Sequence, residues 1–454
     1  MKPKLSMSLE DRLYPFLKLY KSLPYPVKFL MGKIYNLLPV KLKFGKFYYS
    51  YLKRITNFNE EKEQVLLSKQ IKIALNKINY YKHREYKDIT EFPIIKKETI
   101  SNSHQDFVNP ENPNRIKTNT GGSSGNPLDF YLEKGISRPK EKAHFDWYWK
   151  QFGYTPGDKI LMIRGESLVG DKIVEYQALE NKLAISCYLL NEHNINETIS
   201  KINIFNPRFI HAYPSALKNF ISLVKTASIP LKTNIQASFL GSEGLYENDR
   251  QLIASFFKTK ICHWYGHSER LIHAGNCPYT DEFHIFPFYG YVELLDDDGK
   301  IIEKPSKKGR IIATGFDNSV MPFIRYDTGD EAEYSDSQVC ACGFKGKSFK
   351  TIYGRNQDYI YLNDKTKVSL TAFIFGQHFE EFSLINEIQL EQNELGKIDI
   401  RITLNKDSEL NKEKFIAKLK KSVQNKIEIN LYVVPFILKT HRGKHVFLIQ
   451  NTSF

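Results

Sequence analysis

Cysteine is scarce in this chain, with five in 454 residues. That excludes a disulfide-stapled scaffold and suits a reducing compartment. Long apolar runs are missing too: no stretch reaches the roughly 18 residues that a spanning helix needs. There is no internal repeat and no low-complexity segment. The opening MKPKLSMSLEDRLYPF sets Glu10 and Asp11 where a signal peptide needs its apolar centre, so a cytoplasmic location is expected. Disorder is excluded as well, because 41% of residues are hydrophobic and 13% aromatic. At roughly 150 residues per domain, the length allows two or three domains.

Charge is plentiful but uneven. The formal net charge is +14. Residues 1–60 hold twelve Lys/Arg against three Asp/Glu, so +9 of that total lies there. Aromatic and aliphatic residues interleave with the bases, as in Tyr14-Pro15-Phe16-Leu17-Lys18-Leu19-Tyr20, Phe29-Leu30-Met31 and Phe47-Tyr48-Tyr49. The plainest reading is a helical extension that packs on the main body and shows lysine to water. A second reading is peripheral contact with an anionic membrane, at its inner face. Nucleic-acid binding is not expected, since no zinc-finger, RNP-like or helix-turn-helix pattern accompanies the bases.

Hydrophobic periodicity predicts a helix over 55–85. Short buried strands are predicted at 159–164, 208–212 and 236–241, separated by helices near 171–182, 214–227 and 247–258. That alternation points to a mainly parallel α/β sheet. From 284 to 363 the pattern becomes short strands and turns, with strands at Tyr289–Leu295, Arg310–Thr314 and Glu331–Tyr334. The last hundred residues read as a small α+β unit: strands at Ile388–Gln392, Lys397–Leu404 and Ile427–Val434, with a helix near 411–425.

Two constellations carry chemistry. Thr120-Gly121-Gly122-Ser123-Ser124-Gly125-Asn126-Pro127 is a loop of glycines and hydroxyls whose backbone N–H groups suit a phosphate. It is neither a Walker A loop nor a Rossmann fingerprint. Cys277, His284, Cys340 and Cys342 make up a Cys₃His set of the kind that holds structural Zn²⁺, although Cys-x-Cys is a looser signal than Cys-x₂-Cys. Cys187 and Cys262 read as core residues.

The loop resembles the phosphate loop of adenylate-forming (AMP-binding) enzymes, and five further stretches resemble that superfamily's landmarks in order. They are Gly241-Ser242-Glu243, Tyr265-Gly266-His267-Ser268-Glu269, Arg325-Tyr326-Asp327-Thr328-Gly329-Asp330, Gly354-Arg355-Asn356-Gln357-Asp358 and Lys439-Thr440-His441-Arg442-Gly443-Lys444. Within the superfamily the chain is most similar to the phenylacetate–CoA ligase-like branch, and there to the CapK-like proteins of capsular polysaccharide clusters. The resemblance leaves residues 1–60 uncovered.

That resemblance implies an α/β fold: a large N-terminal domain with mixed sheets flanked by helices over 61–354, and a small mobile α+β domain over 355–454. It implies a ligase that activates a carboxylic acid with ATP and Mg²⁺, then passes the acyl group from AMP to coenzyme A. The 120–125 loop would wrap phosphates. Gly241, Ser242 and Glu243 would border the adenine, and Tyr265, on Gly266, would stack on it. Asp330, with Arg355 beside it, would take the ribose hydroxyls. Ser268 would donate to the α-phosphate, Glu269 would hold Mg²⁺, Lys444 would approach the reacting oxygens, and Asp358 would be the hinge. His211, Tyr213, Trp264 and His267 would line the acyl pocket. The branch often carries a cysteine pair after its Thr-Gly-Asp motif, which supports the zinc reading. Two alternatives stay open: direct transfer of the acid to an amine or hydroxyl of a sugar-nucleotide or glycan, and a non-catalytic nucleotide-binding scaffold.

Overall fold

The computed structural model describes the chain apart from residues 1–7, 83–85, 87, 121–127, 165–167, 169–171, 188, 246, 304, 306, 337–338, 354–358, 375–378, 406–407, 439–446 and 453–454. A 12-stranded mixed sheet organises the larger part. At its heart, Lys260–Gly266, Ala237–Gly241, Phe209–Ala212, Ile160–Arg164 and Lys182–Ser186 run parallel, side by side in that order. These strands are short apolar runs because both faces are covered. Helices Ile195–Phe205, Pro214–Thr226 and Glu247–Phe257 bury Ile199, Phe220 and Ile253 against one face. On the other face Tyr148 and Trp149 of helix Ser137–Lys150 pack with Phe239 and Trp264.

Beyond Lys260–Gly266 the sheet turns antiparallel, through His273–Cys277, Thr280–Ile285, Ser348–Ile352, Tyr326–Tyr334, Lys308–Gly315 and Gly290–Leu295. The helix predicted at 171–182 is not formed. Val174–Gln177 is instead the antiparallel edge strand, paired with Lys182–Ser186 through a tight turn that holds Asn181 at φ 52°. Val174 and Tyr176 pack beside the buried Leu183 and Ile185, which tertiary pairing rewards more than helical periodicity. The helix predicted over 55–85 is shorter than expected and runs Glu60–Lys77. Asn59 caps it by accepting from the Lys62 N–H at 3.2 Å, and three glutamates sit in its first turn.

Residues from 359 onward build a core of their own. A four-stranded sheet, ordered Glu428–Val433, Lys397–Leu404, Ile385–Glu394, Leu448–Gln450, is backed by helix Lys412–Ser422. Ile400, Phe415 and Leu419 are fully buried there, and Tyr213 of the larger part packs into the same cluster.

Candidate active site

The parallel strands end along one edge of the sheet, and in open α/β sheets ligands gather at such ends. Arg164, Tyr213, the Gly241-Ser242-Glu243 segment and the Tyr265–Glu269 segment all lie at or just past these ends. Gly266 closes its strand where a side chain has no room: a Cβ there would sit 2.0 Å from the His273 ring.

Two motifs about 60 residues apart in sequence are joined at this edge. The Tyr265 hydroxyl donates to Asp330 at 2.8 Å, and the Tyr326 hydroxyl donates to Glu269 at 2.8 Å. The second Glu269 oxygen meets His267 Nδ1 at 2.9 Å. Burial alone would raise the Glu269 carboxyl, but His267 and the Tyr326 hydroxyl outweigh it and hold the group down at about 2. Glu269 is therefore an ionised, nearly buried carboxylate with acceptor capacity left over. Such a group suits a hard cation whose other ligands are phosphate and water. Burial, and next the Asp330 charge, push the Tyr265 phenol well above its ordinary value, so it stays a donor. Ser268 is exposed at the tip of the turn, and His267 Nε2 is buried without a hydrogen-bond partner.

What holds this turn was not legible in the sequence. Arg270, at φ 58°, donates to the Ser137 carbonyl at 3.1 Å and lies 3.9 Å from Glu141. Glu141 also takes His273 Nε2 at 3.1 Å and the Tyr289 hydroxyl. Buried Lys140, pushed down to about 8 by its burial, donates to the carbonyls of Tyr289 and Phe316 at 2.6 and 2.7 Å. Arg325 anchors the second motif. It pairs with Glu293 at 3.1 Å and donates to the Thr90 and Phe92 carbonyls at 2.6 and 3.0 Å. These partners come from distant segments, so no local spacing announces them.

The four candidate acyl-pocket residues divide. His211 and Trp264 stand 5.6 Å apart, with Trp149 5.3 Å from His211 and Phe145 5.4 Å from Trp264. Tyr213 packs under the C-terminal sheet with the Arg164 guanidinium 4.7 Å over its ring, and His267 faces Glu269. Burial keeps His211 well below its ordinary pKa, and its Nδ1 has no partner. Arg164, which sequence reasoning passed over, reaches His211 Nε2 at 3.2 Å and the Ser242 hydroxyl at 3.1 Å. Its position at the end of a predicted strand was the one available signal. Glu243 accepts from the Ser215 N–H and hydroxyl, both at 3.0 Å, and so caps helix Pro214–Thr226.

Thr120 closes the base of the glycine-rich loop: its N–H donates to the Leu128 carbonyl at 2.9 Å and its hydroxyl accepts from the Leu128 N–H at 2.8 Å. The loop thus tips the hairpin Arg115–Asn119 with Asp129–Glu133. Gly121, Gly122, Ser123, Ser124 and Gly125 lie outside the described residues, as do Arg355, Asp358 and Lys444.

Cys277, His284, Cys340 and Cys342 converge, with all four donor atoms within 4.8 Å of one another. Cys277 Sγ and Cys340 Sγ are 3.6 Å apart, and Cys342 Sγ lies 3.4 Å from His284 Nε2. Thiolates about 2.3 Å from a tetrahedral ion stand a little under 4 Å apart, so the spacing fits Zn²⁺. His284 Nδ1 is held by the Ser348 hydroxyl at 2.8 Å, leaving Nε2 for a metal. Burial lowers His284 to about 4, keeping the neutral ring that ligation needs, and burial raises the Cys277 thiol to about 12.

No family model matches the chain. It is 26% identical over 423 residues to Protein CapK of Staphylococcus aureus, covering 89% of this chain and 87% of that protein. Among solved structures it is similar to 2-hydroxyisobutyryl-CoA ligase in complex with 2-HIB-AMP and CoA in the thioesterification state. That match has a TM-score of 0.56 and 15% identity, over 87% of this chain and 91% of that one. The same ligase in the postadenylation state, with R3-HIB-AMP, gives a TM-score of 0.52 and 14% identity, over 92% and 94%. The shared fold is that of an adenylate-forming CoA ligase.

Proposed function

We infer that this chain, a homologue of CapK with the fold of an adenylate-forming CoA ligase, activates a carboxylic acid with ATP and passes the acyl group to coenzyme A. One observation carries the reading: the paired bonds Tyr265–Asp330 and Tyr326–Glu269, which set two carboxylates on one frame at the ends of the parallel strands.

In the first half-reaction a carboxylate oxygen attacks the α-phosphorus of ATP, and the bond to pyrophosphate breaks. Both partners are anionic, so the site has to neutralise charge. Glu269 would hold a magnesium ion, which would supply positive charge against the phosphates. Tyr265 would lie against the adenine, its hydroxyl aiming Asp330 at the ribose. Ser268, at the open tip of the turn, would donate to the α-phosphate. Gly241, Ser242 and Glu243 would border the base, and the loop from Thr120 to Gly125 would wrap the outer phosphates. Lys444 would approach the reacting oxygens, with Arg355 near the ribose. In the second half-reaction the thiol sulfur attacks the acyl carbon, AMP leaves, and the thiol proton passes to solvent. Residues 355–454 would turn about Asp358 between the two.

His211 and Trp264 would face the acyl group, which suits a compact acid with a polar substituent. The Cys₃His set would hold a structural zinc ion, pinning the 277–284 hairpin to the 340 loop. The sequence likeness to capsular polysaccharide proteins favours a role in polysaccharide biosynthesis, and with it a second acceptor, an amine or hydroxyl on a sugar-nucleotide or glycan. Incubation with a panel of carboxylic acids, ATP and Mg²⁺, with coenzyme A or an amino sugar nucleotide, followed by mass analysis, separates the two. An acyl-CoA supports the first reading and an acylated sugar the second. Acyl-AMP from no acid would leave only the scaffold.

A further inference from the structure

One of the N-terminal helices is built inside out. Between Asp11 and Glu60 the sequence has ten Lys/Arg and no Asp or Glu. Among the described residues, twelve of the twenty-two large apolar side chains that stand exposed fall between Leu13 and Tyr49. Helix Tyr25–Leu37 shows how this arises. Its body-facing side is mostly small or polar, with Phe29 at one margin, 6.0 Å from the Tyr176 ring. Gly32 lies so close to the sheet edge that a Cβ would meet Ala178 at 2.3 Å. Lys28 pairs with Glu175 at 3.3 Å, and Asn36 donates to the Ala178 carbonyl at 2.6 Å.

The opposite side is apolar. Val27, Leu30, Met31, Ile34 and Leu37 recur at i, i+3, i+4, i+7 and i+10, a stripe on one helix face. Their outward direction is unambiguous, with Leu30 61%, Ile34 55% and Leu37 84% exposed. Leu13, Phe16 and Leu19 before this helix and Leu42 after it are exposed as well. Exposed Lys33, Lys41 and Lys46 lie among these residues, and the Lys33 ammonium is 5.3 Å over the Phe29 ring. A water-facing helix would carry the reverse pattern.

We propose that the exposed side chains between Leu13 and Tyr49 form a docking surface for an anionic lipid bilayer. Charge complementarity selects this occupant: a rim of lysines without a single acid suits phosphate headgroups, and an apolar stripe between them suits the upper acyl region. Long lysine stems lie along apolar surface while their heads stay in the headgroup layer. No helix among the described residues is long and apolar enough to cross a membrane, so the helix would lie in the interface plane.

The test is flotation of the full-length protein with phosphatidylcholine vesicles, with and without one third phosphatidylserine. The expected result is binding to the anionic vesicles that falls about tenfold or more in L30S/I34S/L37S and in K33E/K41E/K46E, and that weakens in high salt. Thermal midpoints of both variants should stay near that of the parent, since these side chains are exposed and Lys33 lies over a ring of its own helix. Equal, weak partitioning to both vesicle types would overturn the proposal. So would a wild-type dimer in solution that L30S/I34S/L37S converts to monomer, because a second copy would then be the occupant.

Discussion

In the region from 265 to 330 charged side chains turn inward and meet partners: Glu269 with His267 and Tyr326, Arg270 with Glu141, and Arg325 with Glu293. In helix Tyr25–Leu37 the arrangement is reversed, with Lys28 and Asn36 tucked against the sheet edge and Leu30, Ile34 and Leu37 in water. The first region surrounds a few polar atoms with a hydrogen-bonded frame. The second leaves its apolar surface exposed, which the proposed lipid surface would cover. Substitutions should therefore be costly in one and nearly silent in the other, unless the outside partner is present.

The largest effect on stability should come from Arg325→Met. It strands Glu293, which is 3% exposed, and drops the donors to the 90 and 92 carbonyls. Losing one partner of a buried pair costs about 3–5 kcal/mol, read from the shift in urea midpoint. An effect below about 1 kcal/mol would show that the pair carries little of the frame.

Acid titration sharpens the same point at Glu269. Its folded value near 2 lies below the ordinary 4.5, so its contribution is complete above 4.5 and fades as pH falls towards 2. At roughly 1.4 kcal/mol per pH unit, about 3 kcal/mol is at stake. Glu269→Gln should flatten that part of the stability–pH curve while leaving the curve above pH 5 parallel to wild type.

The Cys₃His cluster gives an intermediate case. Protein purified without chelator should carry one zinc per chain, which Cys340→Ser should lose along with several degrees of thermal midpoint. Metal-free wild type of unchanged stability would return the cluster to packed thiols. Tyr265→Phe is milder: removing one hydrogen bond to a carboxylate is worth about 1.5 kcal/mol, so the KM for ATP should rise roughly tenfold with kcat little changed. The smallest effect belongs to Ile34→Ser, expected within about 0.5 kcal/mol of wild type in the absence of lipid.

The short strands 160–164, 209–212 and 237–241 were legible because a strand buried on both faces reads as a nearly continuous apolar run. The motifs around Tyr265, Glu269 and Asp330 were legible as words in order, and the Cys₃His set was legible from the Cys340-x-Cys342 pair, from His284 seven residues after Cys277, and from the family resemblance. The hairpin at 174–186 was not, because local periodicity there favoured a helix and only the pairing partner decides. Nor were Arg164, Glu141 or Lys140, whose roles rest on contacts with residues far along the chain. The inverted polarity of Tyr25–Leu37 was half visible: the sequence gives an amphipathic helix, but which face turns outward depends on Gly32 and Asn36 meeting Ala178.

The most direct measurement is pyrophosphate release from ATP and Mg²⁺ across a panel of aryl, short-chain and hydroxy acids, in wild type and Glu269→Ala. Release with one class of acid, reduced about a hundredfold or more in the variant while ATP still binds, is the expected result. ATP binding without release from any acid, or release unaffected by Glu269→Ala, would contradict the assignment of this edge of the sheet as the adenylating site.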